Sequence, residues 1–503
     1  MQRALITALL IVGCAHQRPP SEQEIEDLYT RANWPGLQRA CERAFAADHK
    51  PESAQCVAMA YAKQNLSAQA IAWLERAVRA GLEWPLAADD PDFASLAGNP
   101  RFVAVVDNSH AQIRARNVAK GVGSGIVASS PSAEGIDASA LAALLAAAKQ
   151  SNTSALVILH GGKLAGEWYF GGESVRTETM SATKAVASLA VGVLLQDGKI
   201  DSLDAPMTTW FPEWKDGVHD AITLRHILSH TSNLDAPRDA SAIYTAGDAT
   251  HYALTLPLAG AAGSAFFYNN AAVNLIPALV HRITGKSIEP YLRERLFGPL
   301  GIRDIEWQTD DKGMPFGMSG LRIHAIDFAK LGQLVLQHGR WKNQQLVSST
   351  YIDALMRPAQ SFKPTSSLLW WLAYPEDGVV LDDAFFRAAH DKGLPAEHIA
   401  KLEPLRGKEI ASDALFATLA QTLGDGWADI WTGEVLTRKL QPATFARGTP
   451  YDVSARGSFD QLLLVFPDRD LVVVRFTTTF DESHFDASSF PQLDRLAREL
   501  VKR

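Results

Sequence analysis

The sequence predicts an α+β architecture: an antiparallel sheet flanked by helices, an all-helical subdomain beside it, and a small all-α repeat domain in front. Three observations predict it. Near the C-terminus two apolar runs, Gln461 to Phe466 and Leu471 to Phe476, flank a Pro467-Asp468-Arg469-Asp470 turn. Much earlier, Ala155 to Leu159 and Gly166 to Phe170 flank a His160-Gly161-Gly162 turn. Between the two pairs the chain is helical and rich in loops, so one sheet is expected to be assembled from both ends of its domain.

The chain has 503 residues, which calls for more than one folded unit. Hydrophobic residues make up 47% and charged residues 21%, the balance of a globular protein. The net charge is −8 with no basic cluster, which argues against a nucleic-acid partner. Residues 1–20 read as a signal segment. Arg3 precedes an apolar run, Ala4 to Val12, too short to span a bilayer. The run ends in Ile11-Val12-Gly13-Cys14, which resembles a bacterial lipobox. That resemblance implies lipid attachment at Cys14 and an exported protein held on a membrane surface, facing the periplasm. An ordinary signal peptide that contains a cysteine is the alternative. No later segment has eighteen uninterrupted apolar residues, so no transmembrane helix is expected. Cys41 and Cys56 form either a disulfide or a pair of small core residues on facing helices.

Residues 21–116 read as helical. In Ala70 to Ala80 the apolar residues Ala70, Trp73, Leu74, Ala77 and Val78 follow a helical period, and Gly81 stops it. Leu37 to Phe45 and Ala54 to Tyr61 carry similar stripes. The spacing of these helices, followed by Asp90-Pro91 and Asn99-Pro100, resembles tetratricopeptide repeats. Such repeats imply a protein partner or a spacer. Residues 117–137 are a linker by composition. Its Gly121, Gly123 and Gly125 lack the Gly-Lys-Ser/Thr of a phosphate loop. A second domain, 138–503, opens with an alanine-leucine helix, Ala138 to Lys149, and closes with a helix from Gln492 to Lys502. Residues 375–449 fit neither pattern and read as an insertion.

Chemistry concentrates at Ser181-Ala182-Thr183-Lys184, at the head of the apolar run Ala185 to Leu195. Residues three apart share one helix face. A serine hydroxyl needs a base to become a nucleophile. A lysine serves as that base once burial favours its neutral form. Tyr268-Asn269-Asn270 lies in a loop before a helix starting near Ala271. A tyrosine beside a buried lysine can carry a proton between nucleophile and leaving group, and Asn270 offers an amide to lysine or substrate. The structural alternative is an asparagine helix cap with Tyr268 in the core. Arg456-Gly457-Ser458 enters the Gln461 strand, where Gly457 permits close approach. The N–H groups of Ser458 and Ser181 then suit an oxyanion.

In this order Ser-x-x-Lys, Tyr-x-Asn and a late glycine-bearing strand resemble the serine β-lactamase and penicillin-binding-protein group. The fit is best to its class C-like esterase, D-aminopeptidase and amide hydrolase branch. Further similar segments are Ile222 to Ser232, Phe297-Gly298-Pro299-Leu300-Gly301-Ile302, Ala325 to Gly332, Trp370-Trp371, and Ala455-Arg456-Gly457 with Gln461. The resemblance implies a serine hydrolase of ester or amide bonds acting through an acyl-serine. Ser181 matches the nucleophile, Lys184 its base and Tyr268 the second proton carrier. Asn270, Arg456, Gly457 and Ser458 match substrate-binding or oxyanion positions. The substrate is a small molecule, and the scheme requires no metal or organic cofactor.

Two positions depart from that group. Ala455 replaces the lysine that pairs with a substrate carboxylate in penicillin-recognising members, which disfavours antibiotic or peptidoglycan substrates. Arg456 can supply charge instead, but on a strand it should point to the face opposite Ala455. Asn233 replaces a glycine and tolerates the same left-handed turn. Alternative functions are a β-lactamase or D-Ala-D-Ala carboxypeptidase, and a catalytically weak penicillin-binding-like interaction module. Zinc is disfavoured at His226 and His230, because Ile227 stands where a zincin has glutamate. A nucleophile elbow is missing at Gly317-Met318-Ser319-Gly320, which Leu321 follows. Trp370 and Trp371 read as acyl-pocket lining or as core.

Overall fold

A computed structural model describes residues 18–82, 86, 90–170, 174–237, 239–478 and 492–502. Most of the expected signal segment, with Cys14, lies outside the described residues. The chain divides into two units, Met1–Ile113 and Arg114–Arg503.

The first unit is helical: α1 (Glu22–Thr30), α2 (Trp34–Asp48), α3 (Pro51–Lys63), α4 (Ser67–Arg79) and the start of α5 (Pro100–Ala119). Ser21 and Asn33 cap α1 and α2 by accepting backbone N–H groups from Glu24 and Gly36. The periodic stripe of α4 buries Ala70, Ile71, Leu74, Ala77 and Val78. Leu37 and Cys41 of α2 pack on Val57 and Ala60 of α3. Cys41 and Cys56 are joined as a disulfide, which resolves the alternatives left by the sequence. Among the described residues no helix is long and apolar enough to cross a membrane.

The second unit is built on a seven-stranded sheet. Its strands are β1 (Val127–Ala128), β2 (Ala155–His160), β3 (Lys163–Tyr169), β4 (Trp371–Ala373), β5 (Asp452–Gly457), β6 (Gln461–Phe466) and β7 (Leu471–Phe476). The order is β1-β3-β2-β7-β6-β5-β4, antiparallel except for the β1–β3 pair. The first hairpin meets the last: β2 runs beside β7 from Ala155 opposite Phe476 to His160 opposite Leu471. This is the sheet drawn from both ends of the domain that the apolar runs predict.

Every residue of β6 and β7 is buried, so both faces of the sheet are covered. Helix α6 (Ala138–Gln150), α7 (Thr183–Gln196), α8 (Asn270–Val273), α9 (Ala325–Leu336) and α10 (Leu493–Glu499) are the elements that matter for the site. Gly332 lets α9 lie close on one face: a Cβ there would meet Leu463 Cδ1 and Val472 Cγ1 at 2.7 Å. Phe328 of α9 packs on Phe476, 5.5 Å between ring centroids. Alternation then sends Arg475 to the other face, where it meets the Ser151 carbonyl at the end of α6.

One segment differs from what its composition suggests. Residues 117–137, expected as a linker, contain the end of α5 and strand β1. The Gly123 N–H donates to the buried Asp327 carboxylate at 2.9 Å, and the Ser124 hydroxyl to the Gly301 carbonyl at 3.1 Å. Residues 375–449 carry a sheet of their own, with Glu376–Val380 between Glu409–Ala411 and Ala443–Arg447. They also have their own core, which includes Leu381, Phe385, Leu402, Leu419 and Trp431. One contact reaches towards the Tyr268 loop: Lys439 pairs with Asp235 and lies 4.5 Å from the Phe267 ring centroid.

Candidate active site

Ser181 sits in a 3-10 turn, Met180–Ala182, that leads directly into α7. Thr183 to Leu194 is buried throughout, so the helix is fixed on all sides by packing. Ser181 itself is half-buried, which leaves its hydroxyl reachable. Lys184, one turn on, is only 2% exposed. Its Nζ lies 3.0 Å from Ser181 Oγ and donates to the Met318 carbonyl at 2.9 Å. The Tyr268 ring centroid is 4.9 Å from the same nitrogen. Burial pushes the Lys184 ammonium below the ordinary lysine range, opposed by electrostatic attraction and a hydrogen bond from the Tyr268 hydroxyl. A neutral amine keeps two N–H groups and one lone pair. With one N–H given to Met318, the lone pair can accept the Ser181 proton. The structure thus brings Ser181, Lys184 and Tyr268 together.

The Tyr268 loop is held from both sides. Asn269 is the helix cap: its side chain accepts from Ala272 N–H at 2.9 Å and donates to the Leu234 carbonyl at 2.8 Å. The Asn269 N–H donates to His230 Nδ1 at 3.1 Å, which places the proton of a neutral imidazole on Nε2. Burial, with the nearby Lys184 charge, pushes the His230 pKa down to about 3, so the ring is neutral. Tyr268 is packed between this ring, 4.6 Å away, and Trp371, stacked at 6.1 Å and 23°. His230 is therefore a wall of the site, whereas His226 closes a capping box with Thr223. Trp370 is core and Trp371 faces the tyrosine. Asn233 adopts φ 57°, the left-handed conformation expected where a glycine is usual.

Sequence reasoning missed the acceptor opposite Lys184 and the residue that holds it. Asn274, buried, accepts the Gly317 N–H at 2.8 Å and donates to the Asn270 carbonyl at 3.1 Å. It joins the start of α8 to the Gly317-Met318 backbone, where the Met318 carbonyl accepts the hydrogen bond from Lys184. The available signal was a lone asparagine inside the apolar run Ala271 to Val280. Asn274→Ala should leave the buried Gly317 N–H unpaired, at a cost of about 1–3 kcal/mol. Steady-state kinetics and thermal melting should show a kcat lowered roughly tenfold, little change in KM and a lower melting temperature.

The third motif divides between two faces. Gly457 abuts the Ser181 turn: a Cβ there would lie 2.3 Å from the Thr179 carbonyl oxygen and 3.1 Å from the Ala182 nitrogen. Ser458 is exposed just beyond it. Asn270 is half-buried at the start of α8, and its backbone carbonyl is the group held by Asn274. Arg456 is a correction. It was expected among the substrate-binding residues, but it points the other way, as strand alternation requires. Its guanidinium bonds Asp452 at 3.0 Å, Asp494 at 2.5 Å and Ser454 Oγ at 2.9 Å. Ala455 is buried and carries no charge to the cleft.

Comparison with known proteins gives the family and the fold. The Beta-lactamase family model matches residues 138–497, so the chain belongs to the β-lactamase family. The 6-aminohexanoate-dimer hydrolase of Paenarthrobacter ureafaciens is 26% identical over 228 residues, 41% of this chain and 58% of that protein. Esterase EstB of Burkholderia gladioli is 31% identical over 157 residues, 26% of this chain and 40% of that protein. The chain thus spans about half the length of these relatives. A crystal structure of a putative β-lactamase from Bacteroides dorei has the same fold. It superposes with TM-score 0.51 at 16% identity, over 73% of this chain and 100% of that one.

Proposed function

We propose that the protein is a serine hydrolase that cleaves ester or amide bonds of small molecules through an acyl-serine intermediate. The observation that carries this reading is the 3.0 Å approach of the buried Lys184 amine to Ser181 Oγ. In the proposed reaction Lys184 takes the Ser181 proton and the alkoxide attacks the substrate carbonyl. The N–H groups of Ser181 and Ser458 stabilise the oxyanion. Tyr268 protonates the leaving group while taking the Ser181 proton over from Lys184; water then attacks the acyl-serine carbonyl, its proton returns through Tyr268 and Lys184 to Ser181 Oγ, and the acyl group leaves as the acid. A fluorophosphonate probe should label the wild-type protein and leave Ser181→Ala unlabelled. Labelling that persists in Ser181→Ala would refute the nucleophile.

The matched family's description makes antibiotic hydrolysis the second reading. The absence of a cation at Ala455, with Arg456 committed to two carboxylates, supports esters and simple amides over it. Short-chain nitrophenyl esters should therefore turn over faster than a chromogenic cephalosporin. The reverse order would overturn this preference.

We propose further that Cys14 is acylated and that α1 to α4 form a tetratricopeptide-like protein contact. The Ile11-Val12-Gly13-Cys14 pattern and the successive helices of 9, 15, 13 and 13 residues support these readings. Expressed in a bacterium, the protein should sediment with membranes, and Cys14→Ser should move it to the soluble fraction. An unchanged distribution would exclude the lipid anchor.

A further inference from the structure

A cation buried in the sheet has no part in the scheme above. Arg475 of β7 is fully buried. Its Nε–H donates to Thr153 Oγ1 at 3.0 Å, and an Nη2–H donates to the Ser151 carbonyl. Its Nη1 donates to two successive carbonyls, Phe459 at 2.6 Å and Asp460 at 3.0 Å. These two residues directly follow Ser458.

Both have left-handed backbones, with φ 61° at Phe459 and 53° at Asp460. Neither is glycine, so each Cβ crowds its own backbone there. Two such residues in succession persist only where the surroundings impose the conformation. The converging N–H groups of Arg475 impose it, by drawing both carbonyls to one guanidinium. The other side of that guanidinium is anchored on Ser151 and Thr153, where α6 gives way to β2. A buried guanidinium on the sheet interior thereby holds the backbone of the turn that follows Ser458. Gln461 secures the far side: its amide donates to the Thr477 carbonyl at 2.9 Å and accepts the Thr477 N–H at 3.2 Å.

We propose that Arg475 is a positioning residue for the oxyanion pocket: it sets the Ser458–Asp460 turn and so aims the Ser458 N–H at the developing oxyanion. This rests on the reading of Ser458 as an oxyanion donor. Arg475 touches no substrate. It acts on a donor used chiefly in the transition state, so its loss should lower kcat and leave KM nearly unchanged. Lysine is a poor substitute, because one ammonium cannot replace a planar fork that bridges Thr153, Ser151 and the turn.

The test uses the full chain with Arg475→Met and Arg475→Lys, a short nitrophenyl ester, and phenylboronic acid, whose tetrahedral adduct occupies the same pocket. For Arg475→Met, kcat should fall about 10- to 100-fold with KM within about twofold. The inhibition constant of the boronic acid should rise by a similar factor, and Arg475→Lys should lie between wild type and Arg475→Met. A folded Arg475→Met with wild-type kcat and boronate affinity would overturn the proposal. So would a loss confined to melting temperature, the signature of a merely structural role. Should both variants fail to fold, Thr153→Val removes one anchor of the guanidinium. It should lower kcat roughly threefold or more at constant KM, and wild-type kinetics there would overturn the proposal equally. Failure of the hydrolase reading is a separate result: the wild-type protein would neither label with fluorophosphonate nor turn over any ester.

Discussion

Lys184→Met should lower kcat/KM for a nitrophenyl ester about 10³-fold, with the far-UV circular dichroism of wild type. Methionine fills nearly the same volume and cannot accept a proton. The buried Met318 carbonyl loses its donor, which costs about 1–3 kcal/mol and should appear as a lower melting temperature. The pH profile identifies the cause. Only the neutral amine can take the Ser181 proton, so the wild-type rate should rise with pH as Lys184 loses its charge, then level off. Because burial pushes Lys184 down, the plateau should be reached below the ordinary lysine range. The residual rate of Lys184→Met should lack that limb. A variant with wild-type activity would remove Lys184 from the reaction.

Gly457→Ala carries the second large effect. A Cβ there would sit 2.3 Å from the Thr179 oxygen, 3.0 Å from Met180 Cβ and 3.1 Å from the Ala182 nitrogen. All three belong to the turn that presents Ser181, and the first and last are backbone atoms that cannot rotate away. Strand and turn must part, which moves the Ser181 hydroxyl and the Ser458 N–H relative to one another. A displacement near 1 Å is worth roughly 10²-fold in rate, so kcat should fall by about that factor with a smaller change in KM. Gly433→Ala is the control, since nothing lies within 4 Å of its added Cβ. Fluorophosphonate labelling rates should follow the same order, with Gly433→Ala like wild type and Gly457→Ala slow. Equal rates in all three chains would show that the close approach is not needed.

Much of the frame was legible because burial on two faces writes continuous apolar runs. The segments Gln461 to Phe466 and Leu471 to Phe476 are strands at the bounds expected. The alanine-leucine helix ends at Gln150, one residue beyond the stripe that predicted it. The spacing of Ser181 and Lys184 was legible for a similar reason: a charged residue inside an apolar helix needs a partner. Other features left weaker traces. The Met318 carbonyl is a backbone group, and no residue type announces it. His230 and Asn274 act through contacts between segments far apart in the chain, which one sequence does not display. Strand alternation gave the direction of Arg456, but not Asp494 on α10 as its destination. The core of residues 375–449 escaped notice because short helices and strands share it, each too brief to show a period.

The proposed reaction turns on acylation of Ser181. Acid quenching during turnover of a slow ester, followed by peptide mass spectrometry, tests it directly. One acyl group should be found on the peptide that contains Ser181 in the wild-type protein, and none on that peptide in Ser181→Ala. An acyl group on a different residue, or equal acylation of Ser181→Ala, would contradict the account.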